Sequence, residues 1–294
     1  MTIERVPALV ETQWLAEHLG DPNLRVLESS VFLRRDPETG VSAIESGREE
    51  WAAGHIPGSA FADVIEDLSE TDNPRFRFEA PSAEKLAKTL GALGIGDDSR
   101  VVIYDRAGNA WAARVWWMLR SAGFDNAGVL NGGWTKWTAE GRPISTERPS
   151  YPTATLTPKP RPELFAQKDD VLAAIEDGAT CIVNALSPAN HSGEELTYNG
   201  RRGHIPTAVN VPSVGPTGIV DPATMTFLPA ADIRRRFEES GALAGERVIS
   251  YCGGGIAASS TAFALHLIGV DDVAVYDGSL TEWTADENLP LVTD

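Results

Sequence analysis

Short apolar runs alternate with longer amphipathic segments along the whole chain. The short runs are typical of buried strands, and the longer segments carry apolar residues at helical spacing. The clearest helix is predicted at residues 83–93, with Ser82 as its N-cap and Gly94 as its C′ residue. The other predicted helices are residues 171–176, 230–239 and 258–268, and the predicted strands are residues 25–27, 101–104, 128–130, 181–183, 248–251 and 273–275.

The alternation of strands and helices predicts an α/β fold with parallel sheets that are flanked by helices on both faces. In sheets of this kind, functional residues lie at the carboxyl ends of the strands. We therefore look for chemistry in the loops that follow the predicted strands.

The chain contains two copies of this pattern. Gly-His-Ile-Pro at residues 54–57 recurs at residues 203–206, and Tyr104 and Tyr251 end matching strands. A third pair of landmarks is formed by the Gly-containing turns before Trp137 and Trp283. Three landmarks in the same order at nearly constant offset indicate a duplicated domain.

A proline-rich stretch separates the two copies. Because proline fixes φ and lacks a backbone N–H, the prolines at positions 149, 152, 158 and 160 predict an extended connector. We therefore predict a first domain at residues 1–145, a linker at residues 146–162 and a second domain at residues 163–294.

Composition excludes several classes of protein. The 294 residues are 42% hydrophobic and 23% charged, as in ordinary globular domains. A net charge of −17 repels nucleic acid and anionic lipid, so neither is an expected partner. The chain shows neither a signal-like start nor an apolar run of ~18 residues, so we expect a cytoplasmic protein.

One predicted loop carries the features of a nucleophilic site. Cys252 follows a strand directly and precedes Gly253, Gly254 and Gly255, after which an apolar helix begins. Glycines let backbone amides turn toward the sulfur, and a helix N-terminus adds positive charge that stabilises a thiolate. The alternative is a small buried residue at a strand end. We expect that structural role for Cys181, the second cysteine, which should lie in the core.

The residues after Cys252 bear on two kinds of chemistry. A phosphatase of the Cys-x5-Arg type needs an arginine six residues after the cysteine, and Ala258 stands there. A sulfur carrier needs only a small ring of amides around one terminal sulfur. The loop therefore disfavours a phosphatase and favours sulfur transfer.

In these features the chain resembles the tandem rhodanese-domain sulfurtransferases of the thiosulfate/3-mercaptopyruvate group. The resemblance covers nearly the whole chain and rests on residues 54–58, 114–119, 252–257 and 276–283. In this family the first domain is catalytically silent, and the repeat here aligns Asp105 with Cys252.

The resemblance implies that Cys252 attacks the outer sulfur of a small anionic donor and becomes a persulfide. Cyanide or a thiol would then remove that sulfur, with no metal or other cofactor. The candidate substrate-binding residues are Gly253, Gly254, Gly255, Ile256, Ala257, Arg202, Arg106 and Asn184. An alternative is a noncatalytic relay or binding module that accepts persulfide sulfur from a partner protein.

Two departures from the family leave the donor open between thiosulfate and 3-mercaptopyruvate. Thiosulfate-type relatives carry Arg-Lys after the cysteine, and mercaptopyruvate-type relatives carry Gly-Ser or Gly-Thr, where this chain has Gly253-Gly254. The family's Asp-x-Arg appears as residues 184–186, Asn-Ala-Leu, so an arginine is missing. Arg201, Arg202 and Arg106 are the candidate replacements.

The five histidines are scattered along the sequence, and we expect no metal-ligand cluster. His55 and His204 occupy matching turns in both copies, which predicts structural roles for both.

Overall fold

The computed structural model describes residues 5–35 and 42–294, which form two compact units. Unit 1 consists of the described residues up to Ser69, together with Ala80–Arg161 and Thr224–Thr226. Unit 2 consists of Glu70–Glu79, Pro162–Ala223 and Phe227–Asp294.

The elements of unit 1 follow the predicted alternation of strand and helix. They are β1 (Leu9–Val10), α1 (Thr12–His18), β2 (Leu24–Glu28), β3 (Val31–Arg35), β4 (Ser42–Ser46), α2 (Arg48–Ala53), β5 (Ser59–Phe61), α3 (Ala83–Ala92), β6 (Arg100–Tyr104), α4 (Ala110–Ser121), β7 (Ala127–Leu130) and α5 (Gly133–Ala139).

Unit 2 repeats the alternation and adds two short 3-10 turns, Pro162–Leu164 and Tyr198–Gly200. Its other elements are β8 (Phe165–Ala166), α6 (Lys168–Asp177), β9 (Thr180–Asn184), α7 (Pro188–Ser192), β10 (Val209–Asn210), α8 (Ala230–Glu239), β11 (Arg247–Tyr251), α9 (Ile256–Leu267), β12 (Val273–Tyr276) and α10 (Ser279–Trp283).

Each unit contains one parallel sheet, and the two sheets have the same strand order. In unit 1 the order is β1-β7-β6-β2-β5, and in unit 2 the matching order is β8-β12-β11-β9-β10. Strands β3 and β4 pair antiparallel in a separate two-stranded sheet. The predicted α/β class, with parallel sheets flanked by helices, is confirmed.

The central strands lie in the cores of their units. Val102 and Tyr104 of β6 belong to the apolar cluster of unit 1, and Ile249 and Tyr251 of β11 belong to that of unit 2. These strands are apolar on both faces because helices cover both faces of a parallel sheet. The strands therefore end at buried loops, which is where Asp105 and Cys252 stand.

Local signals placed several helix ends correctly. Ser82 Oγ accepts a hydrogen bond from the Lys85 amide at the start of α3, and Gly94 has a φ of +80°. Helix α8 has the predicted bounds, Ala230–Glu239. Helix α6 begins three residues before its predicted start, because Gln167 and Asp170 form a capping box there.

The proline-rich stretch packs along unit 1. Residues 146–161, all of which are described, form neither helix nor strand. The Ala154 amide donates to Gly91 O at 2.9 Å, and the Lys159 amide donates to Ala122 O at 2.7 Å. Such amide bonds hold the stretch in an extended course.

The prediction that Cys181 is a core residue was wrong. Cys181 lies on β9 next to the fully buried Ile182, but its own side chain is only half-buried. Alternate residues of a strand point to opposite faces, and small residues, including Gly241 and Gly245, leave the Cys181 face open.

Among the described residues, none of the helices has the length and apolar character that crossing a membrane requires.

Candidate active site

Cys252 begins a tight loop between β11 and α9. Its side chain is buried, and the loop ends at Gly255, which has a φ of +79° as the N-cap of α9. A side chain other than glycine is strained in that left-handed conformation. The cysteine therefore lies at the carboxyl end of a central strand, close to a helix N-terminus.

A hydroxyl from the next turn fixes the shape of this loop. Ser279 Oγ accepts hydrogen bonds from the amides of Cys252 and Gly255, each at 3.1 Å, and donates to Tyr276 O at 2.7 Å. A hydroxyl has one hydrogen to donate and two lone pairs, so these bonds use its full capacity. Ser279 is fully buried and has a φ of +47°.

Helix α10 holds the loop from the same side. The Leu280 amide donates to Cys252 O at 3.1 Å, and the amide and hydroxyl of Thr281 both donate to Gly253 O, at 2.9 and 2.8 Å. These bonds turn two loop carbonyls toward α10. Because a carbonyl oxygen would repel a thiolate, binding these two oxygens to donors of α10 favours the thiolate.

Tyr198 covers the other side of the loop. A Cβ atom on Gly253 would lie 2.0 Å from Tyr198 Oη, so the phenol fills the space that a side chain would need. Burial raises the pKa of Tyr198, and the nearby Cys252 raises it further. Sequence reasoning did not single out this residue, because it stands in a polar stretch without regular spacing.

A segment from earlier in the chain also borders the loop. Residues Glu70–Glu79 belong to unit 2, and Arg77 O lies 3.9 Å from the position of a Cβ atom on Gly254. Arg75 in this segment donates to Gln167 Oε1 at 3.1 Å.

The corresponding loop of unit 1 holds a carboxylate. Asp105 accepts hydrogen bonds from the amides of Ala107, Asn109 and Ala112 at 2.8 to 3.0 Å. Burial raises the pKa of Asp105, and these bonds oppose that rise. The amides that follow β6 thus bind the side chain of their own loop.

The comparisons with known proteins agree with this geometry. The family described as "Rhodanese-like domain" matches residues 11–140 and again residues 167–286. The chain belongs to the rhodanese-like family. The predicted pair of tandem rhodanese domains is confirmed.

The relatives named in the comparisons handle sulfur. The chain is 32% identical to thiosulfate/3-mercaptopyruvate sulfurtransferase 2 of Arabidopsis thaliana, over 97% of this chain and 86% of the relative. It is 35% identical to the sulfur carrier protein TtuD of Thermus thermophilus, over 96% and 95% of the two chains. The crystal structure of the 3-mercaptopyruvate enzyme SseA of Escherichia coli matches with a TM-score of 0.79 at 28% identity, over 93% of this chain and 99% of that one. This rhodanese-like protein is an enzyme of the sulfurtransferase class.

The structure brings some of the predicted site residues of this enzyme together. Gly253, Gly254, Gly255, Ile256 and Ala257 form one continuous loop and helix start after Cys252. Asn184 lies at the end of β9, where it pairs in register with Tyr251.

The three arginines that were predicted to hold the donor each bind groups of the protein itself. Arg202 donates to Gly193 O and Glu194 O at 2.9 and 2.6 Å, and Arg201 donates to carbonyls near the end of the chain. Arg106 lies in unit 1, where its guanidinium forms an ion pair with buried Glu28. A role for these arginines with the donor stays a prediction.

The expectation that the histidines form no metal-ligand cluster was wrong about their placement. His191, His204 and Asp294 lie together, with ligand atoms within 4.8 Å of one another. The two imidazole rings stack at 3.7 Å, much as Trp51 stacks on His55 in unit 1. Because the partners are distant in sequence, residue spacing did not reveal the cluster.

Hydrogen bonds orient the two stacked rings. Asn184 Oδ1 accepts the Leu186 amide, so its amide nitrogen donates to His191 Nδ1 at 3.2 Å. Neutral His191 then carries its hydrogen on Nε2, which favours a hydrogen-bonding role over metal ligation. His204 Nδ1 donates to His191 O at 2.8 Å, as His55 does to Trp51 O in unit 1. This supports the predicted structural roles of His55 and His204.

Proposed function

We propose that this sulfurtransferase moves a sulfane sulfur from a small anionic donor to a thiophilic acceptor through a persulfide on Cys252. The donor is 3-mercaptopyruvate or thiosulfate, and the acceptor is cyanide or a thiol. The observation that carries the proposal is the buried Cys252 thiol in a glycine loop at the start of α9.

The reaction has two displacement steps at sulfur. In the first, the Cys252 thiolate attacks the outer sulfur of the donor, and the leaving group departs with the electron pair as sulfite or as the enolate of pyruvate. In the second, the acceptor attacks the outer sulfur of the persulfide and the Cys252 thiolate is restored. The attacking thiolate is also the leaving group, so its stabilisation serves both steps.

Backbone amides are suited to hold the transferred sulfur. The amides of Cys252 and Gly255 already donate to Ser279 Oγ. We therefore assign the binding of the transferred sulfur to the other amides of the loop and helix start, those of Gly253, Gly254, Ile256 and Ala257. Charge-assisted hydrogen bonds contribute about 1.5–3 kcal/mol each, and the N-terminus of α9 adds a favourable dipole.

The donor's negative group needs a cation, and Arg201 and Arg202 are the candidates in unit 2. Their guanidinium groups donate to carbonyl oxygens, which orient each guanidinium without removing its charge. Asn184 is fully buried and its amide nitrogen donates to His191 Nδ1, so we give Asn184 an orienting role. In unit 1, Asp105 occupies its own loop amides, which supports a catalytically silent first domain.

A sulfur relay is the second candidate. TtuD, at 35% identity over 96% of this chain, is named a sulfur carrier protein. In a relay, Cys252 would accept sulfur from a partner protein's persulfide and would not turn over small donors.

Mass spectrometry after exposure to each donor tests the proposal. We expect one added sulfur atom, located by fragmentation on Cys252, and its loss when cyanide is added. Cys181→Ser is the matched control and should load normally, whereas Cys252→Ser should not load. If Cys252 accepts sulfur from a cysteine desulfurase but from neither small donor, the relay is favoured. If the added sulfur is found on Cys181, both hypotheses are overturned.

A further inference from the structure

The hydroxyl of Tyr198 differs from those of the other tyrosines. Within the described residues it has no hydrogen-bond partner. The other tyrosine hydroxyls are each hydrogen-bonded within the protein: those of Tyr104, Tyr151, Tyr251 and Tyr276. A polar group beside a nucleophile that the fold leaves without a partner is available to a ligand.

The phenol extends from solvent to the cysteine loop. Tyr198 is 46% exposed, whereas Cys252 is 2% exposed. Its hydroxyl lies against the Cα of Gly253, the residue next to the thiol. A donor whose sulfur reaches Cys252 therefore brings its remaining atoms close to this hydroxyl.

The turn that carries Tyr198 is held in place. Asn199 Nδ2 donates to Thr284 Oγ1 at 2.9 Å, just after α10. The Arg201 guanidinium donates to Asp286 O at 3.1 Å and to Leu289 O at 2.7 Å. Helix α10 also supports the Cys252 loop, so phenol and thiol are positioned by one shared element.

We propose that Tyr198 is a catalytic acid for donors in which the transferred sulfur is bonded to a carbon next to a carbonyl group. This inference rests on the proposed function and assigns the donor class to that site. For such donors the leaving group is an enolate, which must gain a proton. Sulfite, the leaving group of thiosulfate, departs as a stable anion.

The step balances with groups already present. The Cys252 thiolate attacks the sulfur of the donor's thiol and forms the S–S bond, and the C–S bond breaks with its electron pair passing to the enolate. Tyr198 gives its proton to the enolate, which becomes a methyl ketone, and the tyrosinate regains a proton from water. Cys252 retains the sulfur as a persulfide, without any external oxidant or reductant.

The protonation state of the phenol suits this role. Burial and Cys252 raise the pKa of Tyr198, so the hydroxyl stays protonated through the neutral range. An enolate is basic enough to take a proton from such a phenol, whereas a thiolate is not. The phenol can therefore deliver its proton to the leaving group without first neutralising the nucleophile.

The test is Tyr198→Phe in the full chain, which keeps the ring that packs on Gly253. Pyruvate release from saturating 3-mercaptopyruvate in a single turnover should fall by about a hundredfold, the lower end of the range for general acids. The internal reference is the second step alone. Cys252 is first loaded as a persulfide with inorganic polysulfide, and the rate of sulfur transfer from this persulfide to cyanide is then measured. This transfer involves no enolate. Tyr151→Phe is the matched control, because that hydroxyl donates to Gly58 O in unit 1.

Each outcome of this test supports or overturns the role of Tyr198 as a catalytic acid. A loss of pyruvate release with the cyanide step retained supports the acid role. Equal losses in both steps show that Tyr198 only shapes the loop, and unchanged pyruvate release shows that it has no catalytic part. If the unsubstituted chain loads from thiosulfate and not from 3-mercaptopyruvate, the acid role is overturned while the proposed function stands. If it loads from neither, the proposed function fails as well.

Discussion

Ser279 Oγ lies 3.1 Å from the backbone nitrogen of Cys252 and accepts its hydrogen bond. The repeat places Gly133 at the same point in unit 1, with a φ of +49° against +47° for Ser279. The two units therefore share a left-handed residue at the first position of the matching helices α5 and α10, and only unit 2 places a hydroxyl there. The unit with the cysteine is also the unit with the serine that orders its loop.

Removing this hydroxyl should disturb the loop. Ser279→Ala leaves the amides of Cys252 and Gly255 without their acceptor, which should lower the free energy of unfolding of unit 2 by about 2 kcal/mol. The rate of persulfide formation on Cys252 should fall as well. Denaturant unfolding and single-turnover loading measure the two effects.

Ser279→Gly separates the hydroxyl from backbone strain. Glycine adopts positive φ without strain, so this variant should be more stable than Ser279→Ala by about 0.5–1 kcal/mol and equally slow in loading. Loading at the unsubstituted rate in both variants would show that the hydroxyl has no part in ordering the loop.

Gly253 and Gly254 should differ sharply in their tolerance of a methyl group. A Cβ on Gly253 would lie 2.0 Å from Tyr198 Oη, whereas one on Gly254 would meet its nearest atom, Thr281 Oγ1, at 3.8 Å. Gly253→Ala should therefore cost about 1–3 kcal/mol through overpacking, and Gly254→Ala should cost much less. Thermal denaturation of the two variants tests this, and equal losses would contradict the placement of Tyr198.

Stability should fall in mild acid because of His191. Burial, with a further contribution from His204, lowers the pKa of His191 to about 4, and Asp294 opposes that shift. Below pH 6.5 the unfolded chain takes up a proton that the folded protein refuses until about pH 4. The free energy of unfolding should therefore drop as the pH falls through this window, by at most about 3 kcal/mol.

His191→Phe keeps an aromatic ring for stacking on His204 and removes the titrating group. Its stability should depend less on pH between pH 6.5 and 4 than that of the unsubstituted protein. Unfolding midpoints measured across this range provide the comparison. The same decline in both proteins would show that other groups cause it.

Asp105 should be important for the stability of unit 1. Asp105→Ala removes the acceptor of the amides of Ala107, Asn109 and Ala112, with an expected loss of about 3 kcal/mol or more. Asp125→Ala is the control, because that carboxylate is half-exposed and pairs with Arg161 at the surface, where ion pairs contribute about 0–1 kcal/mol. Similar losses in both variants, measured by denaturant unfolding, would contradict the role assigned to Asp105.

The sequence by itself determined the repeated α/β architecture and the contrast between Cys252 and Asp105. The sequence predicted the strand and helix periodicity, the Ser82 N-cap and the helix end at Gly94. Each of these features depends on residues that are close together in the chain. The glycine loop was visible for the same reason, since its residues are consecutive.

Only the tertiary structure decided what surrounds the thiol. Ser279 is 27 residues from Cys252 in sequence, and Tyr198 reaches Gly253 from a polar turn that shows no periodic signal. The stack of His191 on His204 and the half-exposed position of Cys181 likewise depend on which segments pack together. Local conformation follows from neighbouring residues, whereas contacts between distant segments exist only once strands and helices have packed and closed their loops on one another.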